Sequence, residues 1–230
     1  MGAIHPPTPV KLICGMLSGD ESLLASAEGM LSREFGPIDV CGDIIPFRWT
    51  NYYRDEMGDD LLRQFLSFER LIPPDEIAAI KIRTNALEEE LKDRNPEAGS
   101  RRPEQPRPAL LHGTLPQFRT VAAQERQLPQ PRAAVPREVT PRPRAVPRAI
   151  NLDPGYVTES KLVLASAKGL SHRIYLARGV FAEVTLNYTH SQWQSNPWTF
   201  PDYASGAYDA FLTEVRSILR GQLGRKERKA

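Results

Sequence analysis

The stretch that decides the fold is residues 10–36, VKLICGMLSGDESLLASAEGMLSREFG. Residues 10–17 form an apolar run that ends at Ser18-Gly19, a pattern typical of a buried strand. Apolar residues then recur at helical spacing as far as Phe35, and Gly36-Pro37 supplies a C-terminal glycine followed by a proline. The stretch therefore predicts a strand, a tight turn and an amphipathic helix in immediate succession.

Three more elements are predicted in the first half of the chain. Residues 38–46, IDVCGDIIP, and residues 62–71 predict two further strands. The segment 47–58 between them is aromatic, polar and aperiodic, so we expect a structured loop there. Pro73-Pro74 predicts the start of a helix that runs to about Leu91, because proline is favoured in a first helical turn.

The second half of the chain resumes with INLDPGYV, residues 150–157, which predicts a short strand running into a Pro154-Gly155 turn. Residues 158–168 leave open a short helix or a strand. Residues 172–188 predict a hairpin that turns at Arg178-Gly179. Apolar residues at helical spacing from Tyr208 to Leu219 predict a final amphipathic helix.

A proline- and arginine-rich insert separates the two halves. Residues 94–148 contain eleven Pro, eleven Arg, four Glu and one aromatic residue, Phe118. The insert therefore has a formal net charge of +7. Because the net charge of the whole chain is +2, the rest of the chain has a net charge of −5. Such a composition cannot bury enough apolar area to offset its chain entropy, so we expect this insert to be disordered.

The element order predicts one α/β domain built from residues 10–93 and 149–222. Because the order before the hairpin is βαββαβ, we expect an α+β sandwich with a ferredoxin-like core and an added C-terminal hairpin and helix. Residues 1–9 are expected to form a flexible N-terminus and residues 223–230 a basic tail.

The cysteines and the hydropathy pattern indicate a soluble cytoplasmic protein. Cys14 and Cys41 both lie in apolar stretches, and we expect both to be buried and reduced. No signal peptide is apparent, and the longest apolar run, residues 162–167, is far too short to span a bilayer.

No common catalytic motif occurs. The sequence contains no GxxxxGK[ST], GxGxxG, HExxH, GxSxG or CxxC. Candidate functional residues therefore rest on clusters of polar side chains in predicted loops and turns.

The first candidate cluster lies in the loop 47–58, where Thr50, Asn51, Tyr53 and Glu56 are candidate ligand-binding or catalytic residues. Loops that combine aromatic rings with hydroxyl, amide and carboxylate groups make good ligand walls. A surface loop anchored by its aromatic rings is the alternative.

The second cluster is Asn151 with Asp153. A carboxylate fixed just past a strand end by a Pro-Gly turn is presented rigidly, which favours a catalytic role for Asp153. An aspartate that only hydrogen-bonds its own turn is the equally supported alternative.

The third cluster joins His172 and Arg173 to Glu183 across the predicted hairpin. An imidazole suits proton transfer near neutral pH, so His172 is a candidate catalytic residue. Arg173 and Glu183 fall nearly opposite each other and are candidate ligand-binding residues, with a structural cross-strand pair as the alternative.

Two further patterns favour a structural role. Lys81, Asn85 and Glu88 share one helix face, and a charged helix face is normally solvated. The aromatic residues of WTFPDY, 198–203, are expected to fix the last helix to the body. If Glu56, Asp153 and Glu183 converged, they would suit a hard divalent cation, but their spacing does not require one, and the identity of any metal or cofactor stays unknown.

At TNYYRDEMG, NLDPGYV, HRIYL, AEVTL and WTFPDY the chain resembles the domain-of-unknown-function family 4416, a family of uncharacterised bacterial proteins. The resemblance covers about residues 10–93 and 149–220. It implies a one-domain bacterial protein without an established activity, so no catalytic role transfers. Members are sometimes labelled GTP-binding, but this sequence has no phosphate-binding loop of the usual type. Relatives have a shorter connection in place of the insert, which separates the insert from any function that the family shares.

Two function hypotheses follow. The first is an α/β domain, of uncertain enzymatic activity, that binds a small phosphorylated or nucleotide-like ligand with the three clusters. The second is an interaction protein whose basic insert holds nucleic acid or an acidic partner. Against the second, Phe118 alone offers almost no platform for base stacking. No membrane partner is expected, and the oligomeric state is left open.

Overall fold

The computed structural model describes residues 4–49, 53–94 and 148–227. All of them belong to one compact unit, formed by residues 1–101 and 145–230. Of the predicted insert, only its two ends, Arg94 and Arg148, lie within the described residues.

The strands of the described ranges are β1 (Val10–Ser18), β2 (Ile38–Cys41), β3 (Ile45–Pro46), β4 (Leu62–Ile72), β5 (Ile150–Val157), β6 (Lys161–Ser166), β7 (Ile174–Ala177), β8 (Val180–Thr189) and β9 (Gln192–Ser195). The helices are α1 (Glu21–Phe35), α2 (Arg54–Met57), α3 (Ile77–Arg94), α4 (Pro201–Ala204) and α5 (Asp209–Glu227). A 3₁₀ turn, Pro74–Glu76, leads into α3.

All of these strands form one antiparallel sheet in the order β2-β4-β1-β5-β6-β8-β7, with β3 beside β4 and β9 beside β8. The predicted mixed α/β class is therefore confirmed. The ferredoxin-like topology is not established by a sheet of this size, because the described strands number nine.

Helices cover both faces of the sheet at β1. Leu12 and Met16 pack with α1 and α3 on one face, whereas Ile13 packs with α5 on the other. Every residue of β1 is buried for this reason, which explains its almost uninterrupted apolar run.

The edge of the sheet corrects the prediction for residues 38–46. The expected single strand is divided into β2 and β3, and the backbone N–H of Gly42 in the break donates to the carbonyl of Phe65. Because β2 is an edge strand, Val40 is its one buried residue, and Cys41 is exposed rather than buried. Cys14 is buried, as predicted.

Strand β5 corrects the predicted Pro-Gly turn. Pro154 and Gly155 continue the strand and pair with Cys14 and Ile13 of β1. Proline is tolerated here because β6 pairs only with residues 155–157, so no ladder bond from position 154 to β6 is lost. The segment left open between helix and strand is the strand β6.

The C-terminal half confirms two predictions. β7 and β8 form the expected hairpin, and Arg178 and Gly179 at its turn have φ values of 50° and 79°. The final amphipathic helix is α5.

The loop 47–58 contains the short helix α2. No helix in the described ranges combines the length and the apolarity needed to cross a membrane.

Gly155 permits the close approach of β5 and β6. A Cβ atom at this position would lie 2.6 Å from the carbonyl oxygen of Val163 and 2.7 Å from Cδ2 of Leu164. We expect Gly155→Ala to lower the free energy of unfolding by about 2 kcal/mol, because the strands must separate to make room. Urea titration followed by circular dichroism measures this change.

Gly221→Ala is the matched control, since a Cβ atom at this position in α5 meets nothing within 4 Å. Alanine in a helix interior should raise stability by about 1 kcal/mol. Equal destabilisation by both variants would contradict the close packing of β5 on β6.

Candidate functional site

A pocket of about 640 Å³ opens where β5 and β6 cease to pair. Helix α3, the residues that follow β6 and the loop around α4 complete its walls. Its charged lining residues are Arg63, Lys81, Glu88, Glu89, Arg148, Asp153, Lys168, Arg173, Glu183 and Asp202.

Side chains of α3 bind the backbone of β5 in the stretch that β6 leaves unpaired. The Lys81 ammonium donates to the carbonyl of Leu152 at 2.8 Å, and the Leu152 N–H donates to Glu88 Oε1 at 2.7 Å. Buried backbone groups must find partners, and these two side chains supply them. Lys81, Asn85 and Glu88 all line the pocket, and the side chains of Lys81 and Glu88 are largely buried, which corrects the prediction of a solvated face.

Asp153 is held by three side chains on the pocket wall. Its Oδ2 accepts from the Asn151 amide at 2.7 Å and lies 3.3 Å from Arg63 Nη1, while its Oδ1 lies 3.7 Å from the Lys81 ammonium. Asn151 and Asp153 share one strand face because they are two residues apart. The Asp153 side chain remains 24% exposed, so the carboxylate is both fixed and accessible.

Arg63 lies beneath the pocket between two carboxylates. Its side chain is 2% exposed, and Nη2 lies 3.5 Å from Asp202 Oδ2, which also accepts from the Tyr208 hydroxyl at 3.0 Å. Gly15 makes room for it, because a Cβ atom there would stand 3.2 Å from Arg63 Nη1 and 2.7 Å from the Phe65 ring.

The two carboxylates on Arg63 have pKa values displaced in opposite directions. Burial disfavours the ionised form of Asp153, but the charges of Lys81, Arg63 and Arg148 outweigh it and lower its pKa below the ordinary value. Burial dominates at Asp202 and raises its pKa, although Arg63 opposes the shift. Asp153 is therefore the firmly ionised member of the pair.

Glu88 and Arg148 extend this network. Arg148 Nη2 lies 2.8 Å and 2.7 Å from the two carboxylate oxygens of Glu88, and it also donates to Asn151 Oδ1. Burial raises the pKa of Glu88, and the charges of Arg148 and Lys81 oppose that shift. Arg148 was assigned to the insert by composition, but in the structure it belongs to the pocket wall.

The opposite wall carries a second set of charges. Arg173 Nε donates to Glu183 Oε2 at 2.8 Å, which confirms the predicted cross-strand pair, and its Nη1 donates to Ser166 Oγ at 2.6 Å. His172 Nε2 also lies 3.1 Å from Glu183 Oε2, and its ring stacks on Trp198 rather than lining the pocket.

The structure brings together most of the predicted site residues. Tyr53, Asn151, Asp153, Arg173 and Glu183 all line the pocket. The ligand-binding and catalytic roles assigned to them stay predictions.

Three other predicted residues have a different outcome. Glu56 is exposed and does not line the pocket, although its carbonyl accepts from the Arg148 N–H at 3.0 Å. Thr50 and Asn51 lie outside the described residues.

Arg63 and Asp202 escaped sequence reasoning. Arg63 lies within a mostly apolar strand, where a charged side chain is itself a signal of a buried counter-ion. Asp202 lies in WTFPDY, residues 198–203, whose aromatic residues favour a structural interpretation of the segment. That interpretation holds for Tyr203, which packs on Phe65 and Tyr208.

The convergence of Glu56, Asp153 and Glu183 on a cation, which the sequence left open, is not found in the described part of the chain. No group of three or more His, Cys, Asp or Glu side chains there has the arrangement of a metal site. Asp153 and Glu183 are each neutralised by basic side chains instead.

The fold and the pocket define an antiparallel α/β protein with a charged cavity of ligand size. The chain belongs to the family described as a domain of unknown function, DUF4416, whose model matches residues 8–101 and 134–218. The comparisons with curated proteins and with solved structures returned no match.

Removing Arg148 should expose the cost of burying Glu88. We expect Arg148→Met to lower the free energy of unfolding by about 2 kcal/mol, because a mostly buried carboxylate loses its charge-assisted hydrogen bonds. Arg83→Met is the matched control, since Arg83 pairs with Glu34 and Glu90 at an exposed site. Exposed ion pairs contribute little, so this control should leave the urea midpoint nearly unchanged. Equal effects would contradict the role of Arg148.

The opposite pKa shifts of Asp153 and Asp202 predict opposite pH dependences. A lowered folded-state pKa stabilises above the unfolded value, so the advantage of wild type over Asp153→Asn should shrink as pH falls through and below 3.8. A raised pKa favours the protonated folded form, so wild type should lose stability relative to Asp202→Asn as pH rises above 3.8. Urea titrations from pH 3 to pH 7 measure both differences, and slopes of the same sign would refute the assignment.

Proposed function

We propose that this protein binds a small phosphorylated or nucleotide-like molecule in the pocket between β5 and β6. One observation carries the proposal. Of the eleven buried polar or charged side chains in the described residues, six line this pocket: Arg63, Lys81, Asn151, Glu183, Thr185 and Asp202.

Burial of ionised groups is expensive, and a core can usually be stabilised as well by apolar side chains. The concentration of buried charged and polar side chains around one cavity therefore supports a binding role, since residues with perturbed pKa values cluster at functional sites. The volume of about 640 Å³ lies within the range of pockets for small organic ligands.

The chemistry of the lining supports the ligand class. Arg173 and Lys168 on the β6 side offer positive charge for a phosphate group. Asp153 on the β5 side offers a fixed acceptor for sugar hydroxyls or an amine. Phe200 and Leu164 add apolar surface for a ring.

The balance of charge narrows this class. Five basic and five acidic side chains line the pocket, so it suits a ligand with both acceptors and donors better than a bare polyanion. A nucleoside monophosphate or a sugar phosphate has this character.

The family match supports the pocket over the insert as the site of function. The matched ranges leave out residues 102–133, most of the basic insert, but they include both walls of the pocket. A function carried by the family's shared part would therefore use the pocket.

We also propose that β1, α1, β2, β4, α3 and β5 form a ferredoxin-like core. The strand order β2-β4-β1-β5, with all neighbours antiparallel, supports this relation. The strands β6 to β9 would then extend that core and build the second wall of the pocket.

A thermal-shift screen of nucleoside monophosphates, diphosphates, triphosphates and sugar phosphates tests the proposal. A ligand at 100 times its Kd stabilises by about 2.7 kcal/mol, which raises the Tm of a domain of this size by about 5–10 °C. We expect at least one compound to give such a shift with wild type. Arg173→Gln should reduce the shift given by that compound, because it removes a positive charge that would bind the phosphate. Asp153→Asn should also reduce it, because it removes the negative charge that would accept hydrogen bonds from the sugar or base.

Arg83→Gln controls for the loss of an arginine away from the pocket and should retain the full shift. The proposal fails if no compound stabilises wild type more than it stabilises Arg173→Gln. It also fails if the control loses the shift to the same degree.

A further inference from the structure

Strand β7 forms one end of the main sheet, and its apolar side chains are uncovered. Ile174 is 69% exposed, Tyr175 59% and Leu176 38%, and the nearby Leu170 is 51% exposed. The pairing of β7 with β8 shifts register between Tyr175 and Ala177, so the regular alternation of side chains is interrupted at Leu176. Within the described part of the chain, β7 has β8 as its one neighbouring strand.

The adjacent edge of β8, in contrast, is blocked by side chains. Between β7 and β9, the β8 carbonyls of Val184 and Thr185 accept hydrogen bonds from side chains of the following loop. Trp198 Nε1 donates to Val184 at 3.0 Å, and the Thr199 hydroxyl donates to Thr185. Proteins commonly block unpaired edges in this way, because a free edge invites another strand. The blocking ends where β7 begins.

The charged residues of the segment that contains β7 are all basic. Residues 168–178, KGLSHRIYLAR, contain Lys168, Arg173 and Arg178 and no acidic residue. Arg173 is already paired with Glu183, whereas Arg178 is exposed at the hairpin turn. An occupant of this edge therefore meets an apolar strand with a positive end.

A second copy of this chain fits the edge poorly. In an antiparallel pair of two β7 strands, the exposed Arg178 of each copy would meet a strand segment that carries only basic charged residues. Like charges directly opposite each other destabilise a strand pair. The charge pattern favours an occupant of the opposite sign.

We propose that β7 is a docking edge for an extended acidic segment of a partner protein, which adds as a further antiparallel strand. Backbone hydrogen bonds to β7 would supply the affinity common to strand addition. The exposed side chains of Ile174, Tyr175 and Leu176 would contact apolar side chains of the segment, and Arg178 would attract its acidic end. This interaction is independent of the ligand proposed for the pocket.

The test uses short fluorescent peptides, about eight residues long, in which valine and threonine alternate between acidic ends. The acidic ends of this peptide are glutamates, and a counterpart peptide carries lysines in their place. Fluorescence anisotropy compares the affinities of the two peptides for the protein. A third peptide has N-methyl groups on alternate backbone amides. We expect the acidic peptide to bind about tenfold more tightly than the lysine peptide, and N-methylation to abolish binding.

Two variants locate the binding on β7. Arg178→Asp reverses the charge at a left-handed position that aspartate tolerates, and it should weaken binding of the acidic peptide about tenfold. Arg220→Asp makes the same charge reversal at another exposed arginine, on α5, and should leave binding unchanged. Ile174→Asp should also weaken binding, and a thermal melt checks that each variant is folded.

Three outcomes overturn the proposal. They are the failure of the acidic peptide to bind, equal binding of the acidic and lysine peptides, and binding that survives N-methylation. Light scattering adds a fourth, since a wild-type dimer that Ile174→Asp dissociates would assign the edge to a second copy.

Discussion

The guanidinium of Arg63 joins three parts of the structure that are distant in sequence. Strand β4 carries it, β5 supplies Asp153 and the short helix α4 supplies Asp202. A cation that is almost fully buried must be neutralised by groups fixed around it, because an uncompensated buried charge costs several kcal/mol. The position of α4 over the sheet and the absence of a side chain at Gly15 both serve this one requirement. The rings of Phe47 and Phe65 complete the surroundings of Arg63.

The same region of the sheet explains why the pocket is polar. β5 and β6 pair over only three residues, and Pro154 could not donate a ladder bond to a longer β6. The backbone of Leu152 is then left to Lys81 and Glu88, two charged side chains on the same face of α3. Each of these side chains needs a counter-ion, and Asp153 and Arg148 provide them. A gap in one strand pair thus leads, step by step, to a cavity lined with fixed charges.

The sheet ends show two solutions to the problem of unpaired strands. In the middle of β8, side chains of Asn196, Trp198 and Thr199 donate hydrogen bonds to the backbone carbonyl groups and so block the edge. β7 has no second neighbouring strand among the described residues, and its apolar side chains are exposed. Arg173 belongs to both regions, because it lines the pocket and directly precedes β7. A strand added to β7 would therefore lie close to one wall of the pocket.

Local periodicity was enough to predict β1, α1, β4, α3, the β7–β8 hairpin and α5, because each of these except the exposed β7 buries apolar residues whose spacing appears in the sequence itself. Glycine and proline were less informative. Pro154-Gly155 resembles a turn, yet it continues a strand, since the constraint came from the distant partner β6. The family resemblance, carried by separated motifs, was also readable from the residues and is confirmed by the family match.

The sequence by itself determined most of the longer helices and strands, and it indicated that Asn151, Asp153, Arg173 and Glu183 were candidates for a site. Only the tertiary structure decided that Arg63, Lys81, Glu88, Arg148 and Asp202 join them. Whether a charged side chain is solvated or buried depends on which strand lies beside it. That neighbour is set by long-range pairing and by the burial of counter-ions, and neither is encoded in the local spacing of residues.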